Sequence, residues 1–155
     1  MNLQLIKTKQ GRKRFIKSQP IKDLNNWMGL LSDLKNFLSI NSSFQIIGNS
    51  VYFEMSPMIP EPVMMLEVIG PAVVDQNGLA LMDLESGESF VHSLQGQDLF
   101  TFEFDQLLLS SKELMRTLEI NFKRKNDELS PFFHIVFNHD KIELHFFRQK
   151  DYIQK

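Results

Sequence analysis

Two histidines and a glutamate near the C-terminus combine residue types and spacing that could do chemistry. Phe132 to Phe147 alternates apolar and polar residues on either side of Asn138-His-Asp-Lys141, the pattern of a hairpin. An even register pairs Phe137 with Ile142, Ile135 with Leu144 and Phe133 with Phe146, so one face is wholly apolar. A three-residue loop would set Ile135 against Glu143 and spoil that face, so the even register is expected. It places His134 opposite His145, with Cβ atoms about 5 Å apart, and Glu143 two residues along on the same face. Two imidazoles and a carboxylate in that arrangement could ligate zinc or iron, or share a proton. A polar sheet face, or a histidine pair shielded by a helix, is the plainer alternative.

A second group of titratable residues stands out by charge. From Asn41 to Ser111 the chain carries ten acidic residues and no Lys or Arg, whereas residues 1–40 carry eight basic residues against two acids. Asp83, Glu85 and Glu88 crowd one turn, and Asp98, Glu103 and Asp105 follow. A surface of one sign steers the approach of a partner of the other sign, so these six are the candidate contacts for a basic protein. The opposing cluster, Lys7, Lys9, Arg12, Lys13, Arg14 and Lys17, reads either as a phosphate-binding patch or as cations guarding an exposed sheet edge.

Other chemistries find little support. Gly87-Glu88-Ser89 begins like a nucleophile elbow but continues to Val91 where the motif requires Gly. Asp75-Gln-Asn-Gly78 resembles the start of a calcium loop, with Gly at the fourth position where the sixth is needed. The chain has no Cys, which removes disulfides and thiolate metal sites. Met55, Met58, Met64 and Met65 suit gap-filling beside a proline-rich loop better than a copper site. Hence no catalytic residue and no cofactor is expected. A pI near 6.1 opposes nucleic-acid binding. With no signal-peptide pattern and no apolar run of membrane-spanning length, the sequence reads as cytoplasmic with no membrane partner.

The elements that must position these residues read as one domain over 1–155. A basic N-terminal hairpin or arm spans 1–19, with strands at Leu3–Thr8 and Arg14–Lys17. A helix over 20–40 starts with Pro20 in its first turn and carries the stripe Ile21, Leu24, Trp27/Met28, Leu31, Leu34 and Leu38. The acidic region 44–105 reads as strands. Phe44–Ile47 and Val51–Met55 flank a Gly48-Asn49 hairpin turn, and Ser56–Pro62 is a stiff connection. Val63–Ile69 is a central strand. Ala72-Val-Val and Leu79–Met82 form a hairpin across Asp75–Gly78, and Ser86-Gly87 turns into Ser89–Ser93. Phe100, Phe102 and Phe104 alternate as a half-buried strand. A second helix, 110–125, opens with a Ser110/Glu113 capping box, buries Leu114, Met115, Leu118 and Phe122, and ends on Lys123-Arg124-Lys125, cations suited to a helix C-terminus. The C-terminal hairpin spans 132–147, and a polar tail follows it.

This order implies an α+β fold: a single antiparallel sheet, flat or strongly curled, of about 6–8 strands with two helices packed against it. The function it points to is a non-catalytic protein-binding module with an acidic surface, such as a bacterial immunity protein or antitoxin that neutralises a basic, nuclease-type toxin domain. One alternative is a small metal- or ligand-binding enzyme using the His134/His145/Glu143 face. Another is a phage or host-defence adaptor.

Overall fold

A computed structural model describes residues 4–41, 43–72, 79–94, 103–138 and 141–154. The strands are β1 (Ile6–Gln10), β2 (Lys13–Pro20), β3 (Gln45–Ile46), β4 (Val51–Ser56), β5 (Ile59–Ile69), β6 (Ala80–Leu84), β7 (Gly87–Ser93), β8 (Leu129–Asn138), β9 (Lys141–Arg148) and β10 (Tyr152–Gln154). The helices are α1 (Trp27–Asn41) and α2 (Phe104–Arg124). Every ladder is antiparallel, and the order is β1-β7-β9-β8-β4-β5-β2-β6-β10, with β3 on β5. The fold is thus α+β as expected. Its ten strands among the described residues exceed the 6–8 anticipated; β10 lies in what reads by sequence as a polar tail, too short to carry a pattern of its own. No helix among the described residues is long and apolar enough to cross a membrane.

One connectivity is used twice. In β2-α1-β4-β5 the last strand pairs with the first and the third lies outside it, and β7-α2-β8-β9 repeats that arrangement. The two units abut through β4 and β8, with Tyr52 opposite Val136, Phe53 opposite Ile135 and Glu54 opposite His134. Both helices pack on one face, over Ile16, Phe53, Met64, Leu66, Phe133, Ile135, Leu144 and Phe146. In α1, Leu34 and Leu38 are buried as the stripe requires, whereas Met28 is exposed. In α2, Leu107, Leu114, Met115, Leu118 and Phe122 are all buried.

Among the described residues no α-helix covers the other face, yet Phe15, Tyr52, Met65, Met82, Leu84, Val136, Phe147 and Tyr152 are buried there. Curling of the sheet explains this. Tyr152 on β10 and His134 on β8 are five strand spacings apart along the sheet, about 24 Å if it were flat. Their side chains nevertheless meet at 2.9 Å. The roll is closed by a bent ribbon. Ile6 faces Val91 and Gln10 faces Gly87, and at the same offset Lys13 faces Leu84 and Lys17 faces Ala80. The chain therefore runs straight through from β1 to β2 against β7 and β6.

That ribbon overturns the N-terminal hairpin. β1 pairs with β7, while β2 inserts between β5 and β6, where both faces of Phe15-Ile16 can be buried. The Gly48 hairpin is also corrected. Ile46 pairs with Val68 and Phe53 with Met64, so β3 and β4 follow one another along β5. Gly48, at φ 70°, kinks the strand without reversing it, and the Ile47 amide still donates to the Glu67 carbonyl at 2.9 Å.

Further boundaries move. Ser56 pairs with Ile59, so Pro57-Met58 alone makes the turn and the prolines lie within β5. They fall where the β4–β5 ladder is irregular, between Glu54/Val63 and Ser56/Ile59, and where β2 pairs no further than Val63. Pro20 ends β2, and α1 begins at Trp27 after a 3-10 turn, Leu24–Asn26. The Ile21 amide, bonded to the Pro62 carbonyl at 2.8 Å, holds the chain extended past the expected helix start. Helix α2 opens after Glu103, which removes the capping box at Ser110 and the strand end at Phe104. Leu107 extends the buried stripe upstream, and the Ser111 hydroxyl donates to the Leu107 carbonyl at 2.7 Å. Phe100, Phe102 and the Asp75–Gly78 turn lie outside the described residues. Leu79 leads into β6, which pairs with β2 and β10. From Phe133 to Asn138 the C-terminal hairpin has the anticipated register, including His134 opposite His145, and the register shifts between Leu129 and Phe133.

Candidate functional site

The curled face gathers one group of ionisable side chains that the chain's own order does not foretell. Glu54 sits mid-strand on β4, only 4% exposed. Lys17 of β2 donates to its Oε1 at 3.0 Å, and the Tyr152 hydroxyl and Gln154 Nε2 donate to its Oε2 at 2.5 and 2.9 Å. Lys17 Nζ also donates to Gln154 Oε1 at 2.6 Å. Because the Tyr152 proton is committed to Glu54, His134 meets the same hydroxyl as an Nε2–H donor, at 2.9 Å. An imidazole whose one proton is on Nε2 is neutral. Burial, helped by the charges of His145, Lys13 and Lys17, pushes the His134 pKa well below its usual value. Burial and then Glu54 push the Tyr152 phenol well above its own.

Aromatic rings wall this network. Phe15 lies edge-on to Tyr52 and His134 at 4.8 and 5.3 Å. Phe147 meets His134 at 4.7 Å, and Phe132 stacks on Tyr152 at 5.7 Å with the planes 10° apart. The result is a polar–aromatic chamber at the β4–β8 junction, where the two units meet, and it is filled by its own side chains, Tyr152 and Gln154 among them. A buried carboxylate is costly unless paired, and here an ammonium balances its charge. Tyr152 and Gln154 reach it because alternate residues of β10 face inward as that strand pairs with β6.

The structure brings together part of the expected triad. His145 Nε2 lies 3.1 Å from Glu143 Oε1. Glu143 Oε2 accepts from Ser93 at 3.0 Å and pairs with Lys141 at 3.2 Å. The bond to His145, with those to Lys141 and Ser93, draws the Glu143 carboxyl down to about 2 against the opposing cost of burial. His134, 1% exposed, turns to Tyr152 instead. Among the described residues no group of three or more His, Asp or Glu is placed to hold a metal ion.

The acidic candidates are mostly spoken for. Asp83 takes a bidentate bond from Arg14, with both contacts at 2.8 Å. Glu85 pairs with Arg12 at 3.3 Å, and Glu88 with Lys7 at 3.6 Å and Arg148 at 2.6 Å. The ribbon explains this, since the basic strand β1–β2 lies directly against the acidic strand β6–β7. Glu103 and Asp105 stay exposed at the start of α2, and Asp98 lies outside the described residues. Glu54, Tyr152 and Gln154 were not singled out by sequence, and Lys17 was named only as a member of the basic N-terminal cluster. A lone Glu amid Val51–Met55 was the available signal for the first.

A separate open groove of about 620 Å³ runs beside α1, lined by residues that include Ile21, Leu30, Leu34 and Phe37. Its charged members, Lys22, Asp23 and Asp33, are exposed and converge on nothing buried.

No protein-family model and no curated protein matches the sequence. Solved structures do. The C-terminal domain of EcmrR aligns at a TM-score of 0.64 and 11% identity, over 96% of this chain and 99% of that one. The EcmrR chain in its complex with DNA aligns at 0.63 and 11%, over 93% of this chain and 56% of that one. This chain therefore spans little more than half of that EcmrR chain. A hydrolase from Listeria innocua aligns at 0.52 and 11%, over 94% and 91%. At such identity the likeness concerns architecture alone: the chain has the fold of the EcmrR C-terminal domain.

Proposed function

We propose that this is a small-molecule-binding domain whose site is the chamber around Glu54, and that its ligands are neutral aromatic molecules with a hydrogen-bond-donating head, such as phenols and aryl amides. The observation that carries this reading is the buried Glu54 carboxylate, enclosed by aromatic rings and approached by a phenol. Apolar walls with a few convergent polar groups are what a ligand site requires. Because Lys17 already neutralises Glu54, the head should donate a proton without bringing a charge. The DNA in the EcmrR complex is a property of that protein; nothing in this proposal draws on it.

The test uses the full chain with Tyr152→Ala, which removes the ring and leaves the backbone pairing. p-Cresol should raise the melting temperature of this variant in a saturable way. Toluene, of the same shape without the hydroxyl, should bind at least tenfold more weakly. Glu54→Gln in the same background should erase that preference. Equal effects of the two compounds, or none from either, would refute the proposal.

The acidic-surface reading, an immunity protein or antitoxin bound to a basic toxin domain, would have to recruit carboxylates already bonded to Arg14, Arg12, Lys7 and Arg148. Its test is salt-sensitive association with a basic protein that weakens on charge reversal at Asp83, Glu85 and Glu88.

A further inference from the structure

The side chains that complete the chamber come from a short strand at one end of the sheet order, and this has a functional reading. β10 is three residues long and pairs only with β6. It follows a 3-10 turn, Gln149–Asp151, in which Asp151 is buried while its Oδ2 has no hydrogen-bond partner among the described residues. The same carboxylate is crowded against Gly87: a methyl group there would come within 2.4 Å of Oδ2. The base of β10 therefore carries a desolvated, unsatisfied group, while its tip carries the phenol and amide that occupy Glu54. Ile153, on the outer side, is exposed, and so is Gln154 at the end of the strand.

From this we infer that β10 is a displaceable resident of the chamber. It is held in place by the Tyr152 and Gln154 bonds to Glu54 and Lys17, and an incoming aromatic ligand expels it by taking those bonds over. This deepens the ligand-binding reading and rests on it. No covalent step is involved. The Tyr152 ring leaves Phe132, His134 and Phe147, the ligand ring takes its place, and the ligand hydroxyl replaces the phenol as donor to Glu54. Residues 152–154 then lose their pairing with β6, so occupancy of the chamber is reported at the surface as the release of the C-terminal segment.

The absence of Cys permits a direct test in the 155-residue chain. Ile153→Cys carries a nitroxide label on the exposed side of β10, and the probe is p-cresol. Without ligand the label should be largely immobilised. With p-cresol its mobile fraction should rise with the same midpoint as binding measured by calorimetry. Tyr152→Ala, which removes the resident ring, should bind p-cresol at least tenfold more tightly than the unmodified chain. If p-cresol binds Tyr152→Ala with the expected Glu54 dependence, and binds the unmodified chain equally well while the label stays immobile, the displacement is wrong and the chamber reading stands. If p-cresol binds neither chain, both fall. Should Tyr152→Ala prove too unstable, Tyr152→Phe keeps the ring and deletes only the hydroxyl's bonds to Glu54 and His134. It should still gain affinity and label mobility, and no change in either would overturn the displacement.

Discussion

Replacing Lys17 by Met would test whether the Glu54 network is a coupled unit. Lys17 Nζ lies 3.0 Å from Glu54 Oε1, and the two side chains are only 14% and 4% exposed. In Lys17→Met the carboxylate keeps its bonds from Tyr152 and Gln154 but loses its counter-charge in a desolvated place. Breaking one partner of such a pair costs about 3–5 kcal/mol, and the lower end applies here because two donors remain. A loss of about 3 kcal/mol corresponds to a fall in melting temperature of roughly 6–12 °C for a domain of this size. Glu54→Gln should cost less, on the order of 2 kcal/mol, because Lys17 is partly exposed and its long stem lets the ammonium turn toward solvent. The double variant Lys17→Met/Glu54→Gln buries no net charge and should be more stable than the sum of the singles by about 2 kcal/mol, a coupling energy of the size contacting residues show. Urea unfolding of the four proteins measures the cycle. Single losses below about 1 kcal/mol with additive behaviour would show that the network is solvated and refute the reasoning.

The other predictions concern the ribbon and the β9 surface. Burial, opposed by Lys150 and Arg148, raises the Asp151 pKa, so its ionised form is penalised in the folded state. Stability from this group is present at low pH and lost as pH rises through the folded value. Asp151→Asn should thus raise the melting temperature at pH 7, and scans toward pH 3 should show the advantage disappearing. Glu143, drawn down to about 2 from 4.5, works the other way: its contribution is present above pH 4.5 and lost as pH falls toward 2. Allowing for solvent screening, roughly 1–2 kcal/mol is at stake, and acid titration of Glu143→Gln should be flatter across that window. Gly87→Ala forces a methyl group against Asp151 and should speed amide exchange of residues 152–154 without affecting β4 or β8; unchanged exchange would mean the turn absorbs the methyl group.

What could be read in the sequence was whatever depends on periodicity and local charge. The β8–β9 hairpin was legible down to its register because one slip would have placed Glu143 against the core. The buried stripe of α2 was legible for the same reason, although its start was not, since Ser110 and Glu113 mimic a cap inside a helix that continues upstream. The N-terminal arm was misread because its destination is set by distant strands. Nothing local tells Lys13–Pro20 to insert between β5 and β6. The acidic stretch had its cations 69 or more residues away for Asp83, so pairing across the ribbon was invisible in composition. Glu54 and Tyr152 escaped notice because 98 residues separate them and only the curl of the sheet unites them.

Where an aromatic ligand sits is the most direct test of the account. Intermolecular nuclear Overhauser effects between p-cresol and the full-length Tyr152→Ala protein would locate it. The chamber reading predicts cross-peaks from the p-cresol ring to Phe15, Phe132, His134 and Phe147, all lost or weakened in the Glu54→Gln background. Cross-peaks instead to Ile21, Leu34 and Phe37, which line the groove beside α1, would contradict it.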